Sequence, residues 1–260
     1  MSRLEEVLTD LRAESDQLED LVAPLPAEAW CTSTPAAGWD VAHQVAHLAW
    51  TDGCALAAVT DTATWQEILA DAVRDPDGFT DKAAAAGADA SPDALLDRWR
   101  TGRTALAAAL RAVPEGARIA WFGPPMSATS MATARFMETW AHARDVAAAL
   151  GVELPPDDRV RHVVHLGVRT RGFSYAARGL EPPDSDVQVR LTLPGGSEVV
   201  HGPPDAPGTV SGSAYDFALV VTQRLHPADA DLVATGDGAA EWLSLAQAFA
   251  GPPGPGRPTR

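Results

Sequence analysis

The sequence predicts an all-helical bundle followed by a small α+β domain, and two observations carry this prediction. In the first 153 residues, four long segments carry apolar side chains at helical spacing. From Val187 onwards the pattern alternates between apolar and polar residues, which is typical of half-buried strands. We therefore expect a four-helix bundle over residues 1–153 and an α+β domain over residues 154–250. Residues 251–260, rich in Gly, Pro and Arg, are expected to form a disordered tail.

The four bundle helices are expected at residues 3–23, 40–59, 91–113 and 127–150. The first has one apolar stripe, with acidic residues on its other face. Ser91 favours the start of the third helix, and Gly151 favours the end of the fourth. Residues 62–73 continue as a short helix, whereas the alanine-rich residues 82–90 indicate a mobile connector or a weak helix. The loops are long enough to leave both simple and crossover topology open.

The second half mixes helical and strand patterns. Helices are expected at residues 157–175, 214–225 and 238–249, and strands at residues 187–191, 198–201, 209–210 and 232–234. The first two strands are joined by Pro194-Gly195-Gly196 and should form a hairpin. These elements predict a small domain on a mixed or antiparallel sheet.

Composition restricts the class of partner. The formal charge of −15 argues against binding to nucleic acid or to an anionic membrane surface. The two cysteines, Cys31 and Cys54, form no metal or disulfide pattern, which fits a reducing compartment. The first residues lack the apolar run of a signal peptide, and no window resembles a membrane helix. We expect a soluble cytoplasmic protein, monomeric or homodimeric, that acts on a small molecule.

Two distant segments carry metal-ligand residue types at helical spacing. His43 and His47 are four residues apart in the second helix, so both side chains point from one side of it. Glu138 and His142 are four residues apart in the fourth helix, where a carboxylate and an imidazole one turn apart can grip one ion. We assign His47, Glu138 and His142 to one metal site. Spacing alone leaves open a packed core histidine beside a surface Glu–His pair.

This ligand set indicates catalysis. Two imidazoles and one carboxylate leave coordination positions open, which is usual for catalytic rather than structural metals. Zinc suits the set, and iron, nickel and cobalt use the same composition.

Further residues are assigned to the vicinity of this site. His43 is assigned a catalytic role, and we expect it beside the ligands or on the helix surface rather than as a fourth ligand. Asp145 and Arg135 share the ligand face of the fourth helix, where they would orient a ligand. We assign Asp145 to catalysis and Arg135 to binding substrate or cofactor. A plain helix salt bridge is an equal alternative for both. Asp52, five positions after His47, is expected to be a solvated charge.

The second half also contains a cationic segment. Five arginines lie between residues 159 and 178 of an otherwise acidic chain. His165 and Arg169 share one helix face there, and we assign both to binding a substrate carboxylate or the anionic groups of a cofactor. A salt-bridge surface between domains is an equal alternative.

The segments Gly38–Leu48 and 135–145 together resemble the DinB-like metal-binding bundles, and among them the mycothiol-dependent maleylpyruvate isomerase family. Residues 210–224 resemble the sterol-carrier-like C-terminal domain of that family. The resemblance implies zinc on His47, Glu138 and His142, mycothiol as cofactor, and a catalytic role for Arg224. Residues 75–93 and 162–179 depart from the family pattern, in segments that are expected to determine substrate specificity.

Three functions follow from these residues. The first is a metal-dependent isomerase or thiol transferase, in which a small thiol attacks a small electrophile, expected to bear a carboxylate. The second is a thiol-independent hydrolase, lyase or cyclase that uses metal-bound water or Lewis-acid polarisation. The third is a non-catalytic binding protein, which the incomplete ligand set disfavours because storage sites normally fill their coordination shell.

Overall fold

The computed structural model describes residues 2–254 and 256–259 of the chain. The chain divides into two compact units, Met1–Leu154 and Pro155–Arg260, against a predicted boundary after residue 153. Residues 255 and 260 of the predicted tail lie outside the described residues, and disorder of that tail stays a prediction. Among the described residues, no helix has both the length and the apolar character needed to cross a membrane.

The first unit is a helical bundle. Its helices are α1 (Arg3–Val22), α2 (Val41–Thr60), α3 (Thr62–Arg74), α4 (Phe79–Ala88), α5 (Pro92–Ala112) and α6 (Ala128–Leu150). Helix α1 packs along α6 and α2 packs along α5, while α2 also contacts α6. The predicted four-helix bundle is therefore confirmed, with α3 and α4 as additional short helices.

Local signals position the two helices that matter for the site. Helix α2 begins at Val41 because the Asp40 carboxylate accepts the backbone N–H of His43 at 2.9 Å. Helix α6 ends at Leu150 because Gly151 adopts the left-handed conformation, with φ of 65°. Between them, side chains such as Val45, Leu48, Trp99 and Val146 form a buried apolar core.

The alanine-rich segment is a packed helix, so of the two predicted alternatives the helix is confirmed and the mobile connector was wrong. Residues 82–88 belong to α4, which packs on α2, and Ala84 is fully buried. A Cβ on Gly87 would lie only 2.9 Å from the Cβ of Ala46. The small side chains of α4 thus allow close approach to α2, and this packing adds to the high helix propensity of alanine.

Two ion pairs cross the interior of the first unit. Arg135 of α6 donates to Asp52 of α2 at 2.8 Å, and both side chains are buried. Arg144 of α6 donates to Glu14 of α1, which is fully buried. The expectations that Asp52 is solvated and that the acids of the first helix lie on its outer face were therefore wrong for these two residues. Buried charges of this kind are retained only when paired.

The second unit is a four-stranded mixed sheet with helices. Its elements are α7 (Arg161–Arg169), α8 (Arg171–Ala176), β1 (Val187–Thr192), β2 (Glu198–His201), β3 (Gly208–Ser213), α9 (Ala214–Val221), β4 (Leu232–Thr235) and α10 (Asp237–Leu245). The strand order is β2-β1-β3-β4; β1 and β3 are parallel, and the other two pairs are antiparallel. The predicted hairpin and α+β class are confirmed.

All three predicted helices of the second unit differ from the structure, and α9 ends at Val221 rather than near residue 225. The helix expected over residues 157–175 is interrupted, because Thr170 leaves the helical region between α7 and α8. The last helix ends at Leu245 rather than near residue 249. Beyond it, the backbone N–H of Ala248 donates to the carbonyl of Val221, which draws the chain onto α9 instead.

Candidate metal centre

The three residues assigned as ligands converge. Helix α2 supplies His47, and α6 supplies Glu138 and His142. The Nε2 atoms of His47 and His142 lie 3.1 Å and 3.3 Å from the same carboxylate oxygen, Oε2 of Glu138. All three potential ligand atoms lie within 4.8 Å of one another. Spacing within α6 predicted the pair of Glu138 and His142, and the contact between α2 and α6 brings His47 to this pair.

The cluster is shielded from solvent. His47 is buried, while Glu138 and His142 are partly buried. Burial raises the pKa of Glu138, but hydrogen bonds and charge interactions with His142 and His47 outweigh it and hold that pKa well below its usual range. A carboxylate therefore persists between the two imidazoles.

The donor set fits a divalent cation. Two imidazole nitrogens and one carboxylate oxygen match a catalytic zinc site, in which three protein ligands leave a position for water or substrate. Protonated imidazoles would make the same contacts to Glu138, so the chemistry of the set, rather than the contacts alone, favours a metal. On His47 the second ring nitrogen, Nδ1, is buried and has no hydrogen-bond partner within the described part of the chain.

Sequence reasoning missed Gln44, which contacts His142. Gln44 is fully buried on α2, and its Oε1 faces Nδ1 of His142. Its Nε2 donates to Oγ1 of Thr34 at 2.8 Å. The only sequence signal was a glutamine among apolar residues, one turn before the ligand His47. A metal-binding histidine commonly makes such a second contact through its other nitrogen.

His43 lies next to the cluster but outside it. Its Nδ1 is 2.7 Å from Oδ1 of Asp40, and its side chain is partly exposed. The Trp39 ring lies near both histidines, with its centroid 6.4 Å from the ring of His43 and 5.2 Å from the ring of His47. The catalytic role assigned to His43 stays a prediction.

Arg135 and Asp145 are both buried in the bundle. Arg135 uses its guanidinium in an ion pair with Asp52. The sequence left a salt bridge within the helix open as an alternative, but the partner of Arg135 lies on α2. Asp145 is 2% exposed and lies one turn after His142. The substrate role of Arg135 and the catalytic role of Asp145 stay predictions.

The remaining assigned residues belong to the second unit. His165 is half-buried on α7, with its ring 5.8 Å from that of His201 on β2. Arg169 is exposed at the end of α7. Arg224 follows α9 and donates to the Thr222 carbonyl. The roles of His165, Arg169 and Arg224 stay predictions.

Aromatic side chains extend from the cluster. Trp39 and Trp50 both lie near His47, with ring centroids 5.2 Å and 6.1 Å from the His47 ring. Trp50 contacts Phe79 at the start of α4 and Phe122 in the loop before α6, at 5.5 Å and 6.5 Å. All four aromatic residues are only partly buried. We call Trp39, Trp50, Phe79 and Phe122 the aromatic wall.

The fold and site define a class of protein: a helical bundle with an open cluster of two histidines and one carboxylate, followed by a small mixed-sheet unit. Residues 11–147 match the family described as the mycothiol maleylpyruvate isomerase N-terminal domain. Because this match covers more than half of the chain, the chain belongs to that family. The family expected from the sequence is therefore confirmed.

Individual relatives extend the comparison. The chain is 53% identical over 250 residues to the uncharacterized proteins Rv0036c and MT0041 of Mycobacterium tuberculosis, covering 96% of this chain and 97% of theirs. It also resembles crystal structures of the mycothiol-dependent maleylpyruvate isomerase and of a histidine-to-alanine mutant of it. Those matches have a TM-score of 0.60 at 18% identity, over 89% of this chain and 92% of theirs. They show a shared fold across both units.

Proposed function

We propose that the protein is a divalent-metal-dependent enzyme, with zinc as the metal, that uses mycothiol or a similar low-molecular-weight thiol as an isomerase or S-transferase. The observation that carries the proposal is the convergence of His47, Glu138 and His142 into a cluster with coordination positions to spare. Family membership supports the thiol, because the solved relative is a mycothiol-dependent isomerase.

Each residue of the cluster has a defined task in this proposal. His47 and His142 would hold the cation through Nε2, and Glu138 would hold it through Oε2 while balancing part of its charge. A cation bound there would favour the anionic form of a thiol or water ligand at neutral pH and polarise a substrate oxygen. Burial of His47 limits access of bulk water, which strengthens these electrostatic effects.

The aromatic wall would bind the carbon skeleton of the substrate. Its four rings come from three helices or their flanking loops. Trp39 and Trp50 lie beside His47, and Phe79 and Phe122 pack on Trp50. Partly exposed aromatic surface next to a reactive centre is typical of small-molecule sites. A thiol would add its sulfur to an activated alkene or similar electrophile, and would then leave after bond rotation or stay attached. The expected substrate is a small electrophile that bears a carboxylate.

A second candidate is a thiol-independent hydrolase, lyase or cyclase. The contact between Asp40 and His43 favours it, because a carboxylate on Nδ1 leaves Nε2 of His43 free to accept a proton from water. In this candidate, substrate or water would carry the proton between His43 and the cluster.

Metal analysis followed by thiol titration tests the proposal. We expect about one zinc per chain in the wild type and in the control His43→Ala, and loss of the metal in His142→Ala. Mycothiol should then bind to the zinc-loaded protein and not to the metal-free protein in calorimetry. Metal without thiol binding would favour the hydrolase, lyase or cyclase. Failure of the wild type to take up any divalent metal would refute the site.

A further inference from the structure

A chain of hydrogen bonds leads from a backbone carbonyl to His142. Oγ1 of Thr34 lies 2.9 Å from the carbonyl oxygen of Trp39, Nε2 of Gln44 lies 2.8 Å from Oγ1 of Thr34, and Oε1 of Gln44 contacts Nδ1 of His142. We call these three contacts the relay. Its members lie on the loop before α2, on α2 itself and on α6.

The chemistry of the first contact determines the direction of all the others. A carbonyl oxygen can only accept, so the single hydroxyl proton of Thr34 is donated to Trp39. Oγ1 of Thr34 must then accept from Gln44, which places the NH₂ group of the amide towards Thr34. The amide oxygen consequently faces His142, and Nδ1 of His142 must carry a proton to donate to it.

The opposite orientation of Gln44 is disfavoured at its contact with Thr34. Its oxygen would face Oγ1 of Thr34 at about the same separation, with no proton between the two oxygens. Gln44 is fully buried, so water cannot satisfy a reversed amide.

We infer that Thr34 and Gln44 are positioning residues that fix the tautomer of His142, so that Nδ1 holds the proton and Nε2 presents its lone pair to the metal. This inference rests on the proposed metal-dependent function. It assigns a role to the loop before α2, which contributes no metal ligand of its own.

The start of the relay is held in place independently. The backbone N–H of Thr34 also donates to the Trp39 carbonyl, at 2.9 Å, and the indole N–H of Trp39 donates to Asp81 of α4 at 3.0 Å. The Trp39 ring stacks on His142 with a centroid distance of 5.9 Å and an interplanar angle of 17°. The same loop therefore restrains both the ring plane and the proton position of His142.

The two histidine ligands are thus unequal. Nδ1 of His142 has a buried partner that determines its protonation, whereas Nδ1 of His47 has no partner among the described residues. We expect removal of the relay to weaken metal binding through His142 alone and to leave the fold intact.

Three variants and a control test the inference. Gln44→Leu removes the acceptor at nearly constant volume, Gln44→Glu restores an acceptor for Nδ1–H, and Thr34→Val removes the hydroxyl that orients the amide. Thr51→Val is the control, because the Thr51 hydroxyl donates only to backbone carbonyls of α2, those of His47 and Leu48, and lies outside the relay. Zinc affinity is measured by competition with a chelator, and the ¹⁵N shifts of the His142 side chain identify the nitrogen that carries the proton.

We expect Gln44→Leu to weaken zinc binding by about 10- to 100-fold, Thr34→Val by less, and Gln44→Glu and Thr51→Val to stay near the wild type. The ¹⁵N spectra should show a proton on Nδ1 of His142 in the wild type. A proton on Nε2 with zinc on Nδ1, or equal zinc affinity in Gln44→Leu and the wild type, would overturn the inference. If the wild type binds no zinc, the proposed function fails, and the spectra of the metal-free protein at alkaline pH still decide the tautomer.

Discussion

At the residue scale, the ion pair between Asp52 and Arg135 is the most consequential contact outside the cluster of His47, Glu138 and His142. It joins the two helices that supply the cluster, and the two side chains are 5% and 2% exposed. A pair at this depth contributes little net stability relative to apolar residues, but the loss of one partner leaves the other charge buried and uncompensated.

We predict that Asp52→Asn lowers the free energy of unfolding by about 3–5 kcal/mol. The matched control is Asp71→Asn, because Asp71 forms an ion pair with Arg74 at 2.7 Å in which both side chains are largely exposed. That change should fall within about 0.5 kcal/mol of the wild type. Urea unfolding of the three proteins measures the difference, and equal effects of the two changes would contradict the burial of the Asp52 pair.

The two cysteines should differ in reactivity. Burial raises the pKa of Cys54 to about 12, whereas Cys31 is exposed. Because the thiolate is the reactive form, Cys54 should hold only about 10⁻⁴ of its population as thiolate at pH 8. We predict that a thiol reagent modifies one cysteine in the native protein and both in denaturant. Cys31→Ser should abolish the fast reaction, and a fast reaction that survives in this variant would contradict the prediction.

The site residues that sequence reasoning found and missed differ in a physical way. Glu138 and His142 were found because helical periodicity alone places them on one face. Gln44 and Thr34 were missed because their contact depends on the path of the loop before α2, which no periodic pattern encodes. Asp52 was taken as solvated, since only the packing of α2 against α6 shows that Arg135 covers it.

At the scale of secondary structure elements, the packing of α4 on α2 is the feature that the sequence pattern did not predict. Alanine repeats carry no apolar stripe, so their pattern does not distinguish a packed helix from a connector. The structure shows the reason for the small side chains: Gly87 approaches Ala46 so closely that a Cβ would lie 2.9 Å from the Cβ of Ala46. The longer helices were predictable because their stripes are wide and their caps are explicit.

We predict that Gly87→Ala destabilises the protein by about 1–3 kcal/mol, because the added methyl group must push α4 away from α2. Gly102→Ala is the control, since this glycine lies within α5 and a Cβ there would meet nothing within 4 Å. Alanine should stabilise that position by about 0.5–1 kcal/mol through helix propensity. Thermal unfolding followed by circular dichroism shows whether each substitution raises or lowers the stability. A stabilising Gly87→Ala would contradict the close packing.

At the scale of the whole molecule, two compact units share one chain, and the cluster belongs entirely to the first. A ligand that binds only the folded form stabilises it in proportion to the logarithm of its concentration over Kd. Metal should therefore act on the unfolding of the first unit and leave that of the second unchanged.

We predict that zinc at about 100 times its Kd stabilises the first unit by about 2.7 kcal/mol in the wild type and has no effect in His142→Ala. Calorimetry measures the unfolding transitions with and without the metal, and the variant serves as the control. The same shift in His142→Ala as in the wild type would place the bound metal elsewhere.

Because Trp39 stacks on His142, the fluorescence of Trp39 should respond to an ion bound at the cluster. The centroid of the indole ring lies 5.9 Å from that of the His142 ring and 5.2 Å from that of the His47 ring. An open-shell ion such as Co²⁺ or Cu²⁺ held between these imidazoles would quench the excited indole at this range, whereas closed-shell Zn²⁺ would not. Subtracting the emission of Trp39→Phe from that of the native chain would isolate this one fluorophore, which would then report occupancy of the cluster without any added dye.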